Sequence, residues 1–310
     1  MARCFVTRRL PGTALARLAA EHEVEIWPER LPPPPTVLRE RTAGAEGLLC
    51  LLTDHVDAEL LGACPNLRAI ANYGVGTDNI DVAAATARGI PVGNSPDVLT
   101  EATADLAFAL ILAAARRLPE AQAAVHAGEW LTWEPDFLLG RDVSGATLGI
   151  IGYGRIGRAV ARRAKGFAMK ILHTPTRETD GTPLDDLLVE ADFVSIHCPL
   201  TAETRHLIDR AALRRMKPTA ILINTARGPI VDQDALRLAL TEGRIAGAAL
   251  DVTDPEPLPP EHPLLKAPNL IVLPHIGSAT HQARERMADL AVENLLAALA
   301  GLPMPHQVND

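Results

Sequence analysis

The sequence has no paired-cysteine motif, no basic block and no long apolar run. Its four cysteines, Cys4, Cys50, Cys64 and Cys198, are scattered, without a C-x-x-C pair. That spacing suits neither a zinc site nor a disulfide framework, so free thiols in a reducing cytoplasm, and no metal, are expected. No stretch reaches the roughly 18 uninterrupted apolar residues that a membrane helix needs. The N-terminus, MARCFVTRRLPG, lacks the apolar core of a secretory signal. There is no internal repeat and no low-complexity tail, and an added regulatory domain is not expected. Lys and Arg (30) are outnumbered by Asp and Glu (38), for a net charge of -8. An acidic chain without a basic stripe is a poor match for nucleic acid or an anionic membrane. A small anionic substrate then requires a local cationic pocket, which one well-placed arginine can supply.

What is present describes a globular α/β protein. With 310 residues, 47% of them hydrophobic and 22% charged, the chain is too long for one ordinary core, and two domains are expected. Short apolar runs alternate with helical stretches, first at Arg3–Thr7, Glu23–Trp27, Gly47–Leu52 and Arg68–Asn72. Helices are expected at Gly12–Glu21 and Ala58–Ala63, and the prolines of Pro32–Pro35 read as a stiff loop. Alternation of this kind implies a parallel sheet covered by helices. A helix apolar nearly all round follows over Thr100–Leu118 and must be buried, either in a core or between subunits, with Pro119 marking a break. The segment Gly128–Asp142, with Trp130, Trp133 and Phe137, reads as an ordered excursion. A second alternating series then begins. Its strands are expected at Thr147–Ile151, Lys170–His173, Phe193–His197, Ala220–Asn224, Ala246–Leu250 and Asn269–Leu273, before a final amphipathic helix at His281–Ala300.

The second series opens on a phosphate-binding signature. The apolar run Leu148–Ile151 leads directly into Gly152-Tyr153-Gly154-Arg155-Ile156-Gly157, and apolar residues then recur at Ile156, Val160, Ala164 and Phe167. A G-x-G-x-x-G between strand and helix is meaningful where the bare motif is not. Gly152 permits the tight turn, Gly154 admits the pyrophosphate, and Gly157 lets helix and strand pack closely. The helix start, at Arg155 and Ile156, offers unpaired N–H groups to the phosphates. The next strand ends in His173-Thr174-Pro175-Thr176-Arg177, without the acid that usually accepts from the ribose 2′-OH of NAD. Arg177, aided by the Thr174 and Thr176 hydroxyls, suits a 2′-phosphate instead. The expected cofactor is therefore NADP(H), with NAD(H) as the alternative; as a plain solvated charge, Arg177 would select neither.

Three polar residues stand just beyond strand ends, where open parallel sheets bind their ligands. Arg227 follows Ile221–Ala226, Glu256 lies in Asp251–Pro257, and His275 follows Leu270–Pro274. Each alone has a structural explanation: a surface ion pair, a charge in a proline-rich loop, a packed loop histidine. Together they suit reduction of a 2-oxo acid. Hydride delivery to a ketone carbon leaves negative charge on its oxygen, and a histidine can supply the proton. A carboxylate beside it holds the ring and stabilises its positive form. The substrate carboxylate is matched by the arginine guanidinium.

At these residues the sequence resembles the D-isomer-specific 2-hydroxyacid dehydrogenase family over essentially its whole length. The matching segments are Gly74-Val75-Gly76-Thr77-Asp78, Gly152–Gly157, Asn224–Gly228, Asp251–Pro257 and Pro274–Ser278. Within the family the runs Asp251–Pro259, His262–Leu265 and Pro274–His281 look most like glyoxylate/hydroxypyruvate reductases. The resemblance implies two doubly wound parallel-sheet domains with a cleft between them. One is a discontinuous flavodoxin-like substrate domain of residues 1–97 and 284–310, the other a Rossmann cofactor domain of residues 98–283. It assigns catalysis to Arg227, Glu256 and His275, and the substrate carboxylate to the Val75–Gly76 backbone with Leu52 nearby. Thr103 and Asp251 are implied to lie near the nicotinamide, with Asp251 holding its carboxamide. Cys198, Pro199, Thr204, Thr225 and Ala226 are implied to line the cofactor, and Gly277 and Ser278 to follow the catalytic histidine. The implied assembly is a homodimer in which the partner subunit's Trp133 reaches the active site. Tyr153, in place of a more usual apolar residue, and Pro175, which stiffens the cofactor-selecting loop, depart from the family pattern. The implied reaction is NAD(P)H-dependent reduction of glyoxylate or hydroxypyruvate. The alternatives are a related enzyme for a larger acid such as phosphoglycerate, or a nucleotide-sensing, corepressor-like binding protein.

Overall fold

The computed structural model describes residues 1–309; Asp310, the last residue of the expected 284–310 segment, lies outside the described residues. The chain forms two compact units, Met1–Leu99 with Ala279–Asp310, and Thr100–Ser278. The second junction falls in the turn before the last helix, whereas position 283/284 lies inside that helix's first turn.

The first unit contains β1 (Arg3–Val6), α1 (Ala14–Glu21), β2 (Glu23–Ile26), α2 (Pro35–Ala43), β3 (Gly47–Leu51), α3 (Ala58–Ala63), β4 (Ala69–Tyr73), α4 (Val82–Ala87) and β5 (Val92–Gly93). The strands form one parallel sheet in the order β2-β1-β3-β4-β5, a flavodoxin-like winding. Helix α2 was not expected. Pro34 caps it and Pro35 is its first residue, because a proline's fixed torsion and missing N–H cost nothing at a helix start. Helices α3 and α4 start on Asp57 and Asp81, whose carboxylates accept from the Leu60 and Ala84 N–H groups. The last helix of the chain, α11 (His281–Leu299), covers one face of this sheet with a stripe that includes Met287, Ala291, Leu295 and Leu299. Each large apolar side chain so buried contributes about 1.5–3 kcal/mol. Its buried Asn294 is satisfied by the Asn94 carbonyl at 2.8 Å and the His306 N–H at 2.9 Å. Gly93 is required beside it, since a Cβ there would approach Asn294 Cγ to 2.7 Å.

The second unit begins with α5 (Thr100–Ala115) and α6 (Leu118–His126). The break between them lies at Arg117, in a left-handed conformation (φ 52°), and Pro119 sits in the first turn of α6 rather than ending a helix. After an irregular, exposed segment come β6 (Thr147–Ile151), α7 (Arg155–Lys165), β7 (Lys170–His173), α8 (Leu184–Glu190), β8 (Phe193–Ile196), α9 (Arg210–Arg215), β9 (Ile221–Asn224), α10 (Gln233–Thr241), β10 (Gly247–Leu250) and β11 (Leu270–Val272). The sheet is parallel throughout, in the order β11-β10-β9-β8-β6-β7. Strand order reverses at β6, so the switch point lies between β6 and β8. One face packs on α8, α9 and α10 through Leu187, Leu213 and Leu236. The other packs on α5 and α7 through Ile111, Val160 and Phe193. The all-round apolar character of α5 is accounted for within this unit.

Candidate active site

The sheet register places the catalytic candidates at one edge. Asn224, Leu250 and Val272 are consecutive partners across β9, β10 and β11, with neighbouring strands about 4.8 Å apart. Arg227, Asp251 and His275 follow those residues by three, one and three positions. Each loop is then held by its own contacts. Asn224 closes the turn that carries Arg227: its Nδ2 donates to the Arg227 carbonyl at 2.8 Å and its Oδ1 accepts from the Ala226 N–H at 3.0 Å. Gly228 lies against the Thr253 carbonyl, where a Cβ would collide. Gln233 brackets Asp254, donating to its carbonyl and accepting from its N–H at 3.1 Å. Thr253 Oγ1 donates to the Pro255 carbonyl at 2.9 Å, which shapes the turn before Glu256.

Glu256 and His275 meet directly, with Oε1 2.5 Å from Nδ1. Both side chains are partly open, 30% and 22% exposed, so the pair is reachable by a substrate. With Nδ1 engaged, Nε2 is the nitrogen left to face a ligand. His275 adopts φ 53°, a left-handed conformation that costs a non-glycine residue about 1–2 kcal/mol. One residue holds it there. Asp251 accepts the His275 N–H on its carbonyl at 2.9 Å, the Ile276 N–H on Oδ1 at 2.8 Å and the Gly277 N–H on Oδ2 at 2.7 Å. Asp251 is 1% exposed. Burial raises its carboxyl above the ordinary range, against the opposing pull of the two N–H donors. Thr103, buried in α5, abuts the same loop: a Cβ on Gly277 would lie 3.4–3.5 Å from its side chain. Thr103, Asp251, Gly277 and the nearly buried Ser278 thus belong to one neighbourhood.

The glycine motif lies at the other side of the switch point. Gly152 has φ 94°, and a Cβ there would strike the Cys198 backbone; one on Gly157 would strike the Gly152 carbonyl. Both are fixed by the protein's own packing. Gly154 differs: a Cβ there meets nothing within 4 Å. Its smallness leaves open space at the start of α7, where Gly154 is the N-cap and the first N–H groups, including those of Ile156 and Gly157, lack intrahelical partners. That space and those donors fit a dinucleotide pyrophosphate. A second sign is the Thr225 hydroxyl, which is buried and has no hydrogen-bond partner among the described residues.

Several expected contact residues have local duties as well. Thr174 Oγ1 accepts from the Gly152 N–H at 3.1 Å and still has a proton to donate. Thr176 Oγ1 closes its own turn, accepting from Glu178 and Thr179 and facing Thr179 Oγ1 at 2.8 Å. Thr204 Oγ1 donates to the Pro199 carbonyl at 2.7 Å and so shapes the Cys198–Pro199 loop. Arg177 is exposed. The triple clamp by Asp251, the Asn224 turn and a half-buried contact between Ser195 Oγ and His197 Nε2 at 2.8 Å were not expected from the sequence. Only Asn224 had a sequence signal, as an asparagine at a strand-to-turn junction.

In the first unit, Leu52 lies within a turn held by Asp54, whose Oδ2 accepts from Leu51 N–H at 2.8 Å and from Thr7 Oγ1. The Val75 carbonyl accepts from Asn94 Nδ2 at 2.8 Å and the Gly76 carbonyl from Asn72 Nδ2 at 2.6 Å. Because a trans peptide sets N–H opposite C=O, the Gly76 N–H points away from Asn94. All four cysteines are free thiols. Among the described residues there is no group of three or more His, Cys, Asp or Glu that could hold a metal ion, and no helix is long and apolar enough to cross a membrane.

A parallel sheet with a glycine-rich turn at its switch point, and a histidine–carboxylate pair at the ends of its later strands, defines a nucleotide-dependent oxidoreductase site. The model of the D-isomer specific 2-hydroxyacid dehydrogenase NAD-binding domain matches residues 108–277. The chain is 52% identical to a glyoxylate reductase of Korarchaeum cryptofilum, over 99% of this chain and 96% of that protein. It is 50% identical to one of Thermococcus litoralis, over 98% and 96%. Among solved structures, a Thermus thermophilus protein superposes with a TM-score of 0.93 at 51% identity, covering 99% of both chains. An NADPH-dependent glyoxylate/hydroxypyruvate reductase of Sinorhizobium meliloti, in complex with NADP and malonate, gives 0.87 at 36%, covering 99% and 96%. The chain belongs to the D-isomer-specific 2-hydroxyacid dehydrogenase family, and it is a nicotinamide-dinucleotide-dependent oxidoreductase.

Proposed function

We propose that this enzyme reduces glyoxylate, and hydroxypyruvate with it, to the 2-hydroxy acid, preferring NADPH over NADH. The observation that carries the reading is the 2.5 Å contact of Glu256 with His275 Nδ1, which leaves Nε2 to serve as proton donor. When bound, the reduced nicotinamide supplies the hydride. His275 Nε2 gives its proton to the carbonyl oxygen as the carbon gains hydrogen, so the C=O becomes C–H and O–H. Glu256 fixes the ring and balances its charge before the transfer. Arg227 holds the substrate carboxylate by charge-assisted bonds, and the Val75 and Gly76 amides and Leu52 complete the substrate contacts. Asp251 is assigned to the nicotinamide carboxamide with Thr103 close by, and Gly154 to the pyrophosphate. Glyoxylate reductases at about half identity over nearly the full length support the substrate, as does an NADPH-dependent neighbour.

The same reading makes the protein a cytoplasmic homodimer. Its support is four free thiols and an exposed apolar stretch: Trp130, Leu131, Trp133 and Leu139 are 65–86% exposed, an unusual concentration for a surface bathed only in water. The partner subunit's Trp133 is assigned to the substrate pocket. Initial rates with glyoxylate, hydroxypyruvate, pyruvate and a larger 2-oxo acid, each with NADPH and NADH, test the assignment. Glyoxylate with NADPH should give the highest kcat/KM, and His275→Ala should cut kcat by at least about a hundredfold while NADPH still binds. Equal, feeble turnover on every acid would refute the substrate, and full activity of His275→Ala would remove it as proton donor.

A further inference from the structure

The loop after β7 is tied to the glycine turn by more than one contact. The Thr174 hydroxyl meets the Gly152 N–H. The rings of Tyr153 and His173 stack with centroids 3.9 Å apart and planes 7° apart. Arg158, in the first turn of α7, donates from Nε to the Tyr153 carbonyl at 3.2 Å and lies 5.7 Å from that ring's centroid. Its other end pairs with Glu178 of the loop at 2.7 Å. A cation anchored on a helix and a carboxylate on a loop therefore touch beside the end of β7. That strand end is where a dinucleotide-binding sheet places the adenosine ribose. The pair is open to water, with Arg158 44% and Glu178 76% exposed. An ion pair so exposed adds little to stability, which makes loop stitching a weak account of it.

We propose that Arg158 and Glu178 discriminate the adenosine 2′ substituent: Glu178 accepts from the 2′-hydroxyl of NAD(H), and Arg158, released from Glu178, pairs with the 2′-phosphate of NADP(H). The inference rests on the dinucleotide reading above and gives it a mechanism of choice. A carboxylate accepts from a hydroxyl and repels a phosphate. A guanidinium matches phosphate oxygens in two-pronged fashion. Glu178, the more exposed partner, is the one able to swing away, while the stem of Arg158 is held on Tyr153. Arg177, next to Glu178 and exposed, adds positive charge but has no comparable anchor on a helix. The acid missing from the end of β7 is thus supplied four residues beyond Thr174, held toward the ribose side by Arg158.

Calorimetric titration of the wild-type chain, Arg158→Gln and Glu178→Gln with NADPH, NADH and 2′,5′-ADP tests this. Arg158→Gln should weaken NADPH and 2′,5′-ADP about tenfold and leave NADH within about twofold, the loss expected for one charged hydrogen-bonding partner. Glu178→Gln should tighten NADPH and weaken NADH, each about threefold or more. The affinity ratio then moves in opposite directions in the two variants. A purely structural pair would weaken both dinucleotides together and leave the ratio unchanged; that result overturns the inference while the dinucleotide reading stands. Failure of the wild-type chain to bind either dinucleotide would sink both.

Discussion

Asp251→Asn tests the support of His275. The wild-type carboxylate accepts from two consecutive backbone N–H groups at 2.8 and 2.7 Å, and the residue's carbonyl accepts from a third. Asparagine keeps one acceptor but turns an NH2 group toward the other N–H. One charge-assisted bond is lost, about 1.5–3 kcal/mol, and a buried donor goes without a partner. Relief of the buried charge opposes this, since burial already raises the Asp251 carboxyl. We expect a net loss of about 2 kcal/mol, because two donors facing each other cannot be relieved by removing a charge. The left-handed conformation of His275, itself costing about 1–2 kcal/mol, loses part of its hold. The competent loop should fall in population and kcat should drop about tenfold. Urea unfolding of the cofactor-free protein gives the stability change, a quantity that an Asp251–carboxamide contact does not affect. Wild-type stability together with wild-type kcat would refute the clamp. The raised carboxyl also has a pH signature. Stability from this group is full below its unfolded pKa of about 3.9 and lost as pH rises through the folded value. Asp251→Asn should lack that component.

Two further results are expected. Gly154→Ala should fold with stability within about 0.5 kcal/mol of wild type yet bind NADPH at least about tenfold more weakly, whereas Gly157→Ala should lose stability as well, because only the second collides with the protein itself; differential scanning calorimetry with and without NADPH separates them, and equal behaviour of the two would contradict the division. Burial drives the His197 pKa down to about 4, so this imidazole stays neutral beside Ser195, and its contribution, up to about 3 kcal/mol, is present above the unfolded value of about 6.5 and lost as pH falls toward 4; His197→Gln should flatten the urea-measured stability between pH 7 and 4.5, and an unchanged slope would remove His197 as its source.

Along the chain alone, the parallel-sheet architecture and the candidate residues were legible. Alternating apolar runs specify parallel strands, because a strand buried on both faces has no polar side to show. Gly152 and Gly157 were legible as a tight turn and a close helix–strand contact, since only glycine fits either. The histidine, the glutamate and the arginine were legible as residues beyond strand ends, and the motifs around them as those of the 2-hydroxyacid dehydrogenases. Helix α2 was not legible, because a proline run reads as loop until one of its members becomes a helix's first residue.

Which groups touch depends on how the strands pair. Glu256 and His275 are 19 residues apart, and only the pairing of β10 with β11 brings their loops together. The clamp on His275 came from Asp251, a residue whose sequence reading concerned the cofactor, because side-chain acceptors are assigned by the path of a neighbouring loop. Arg158 and Glu178 carried no motif at all. Their contact exists because β7 lies beside β6 in the sheet, so the loop leaving β7 returns along the helix that follows the glycine turn. Periodicity and turn chemistry are local properties and can be read along the chain; a charge pair across two strand ends is a property of the sheet order that joins them.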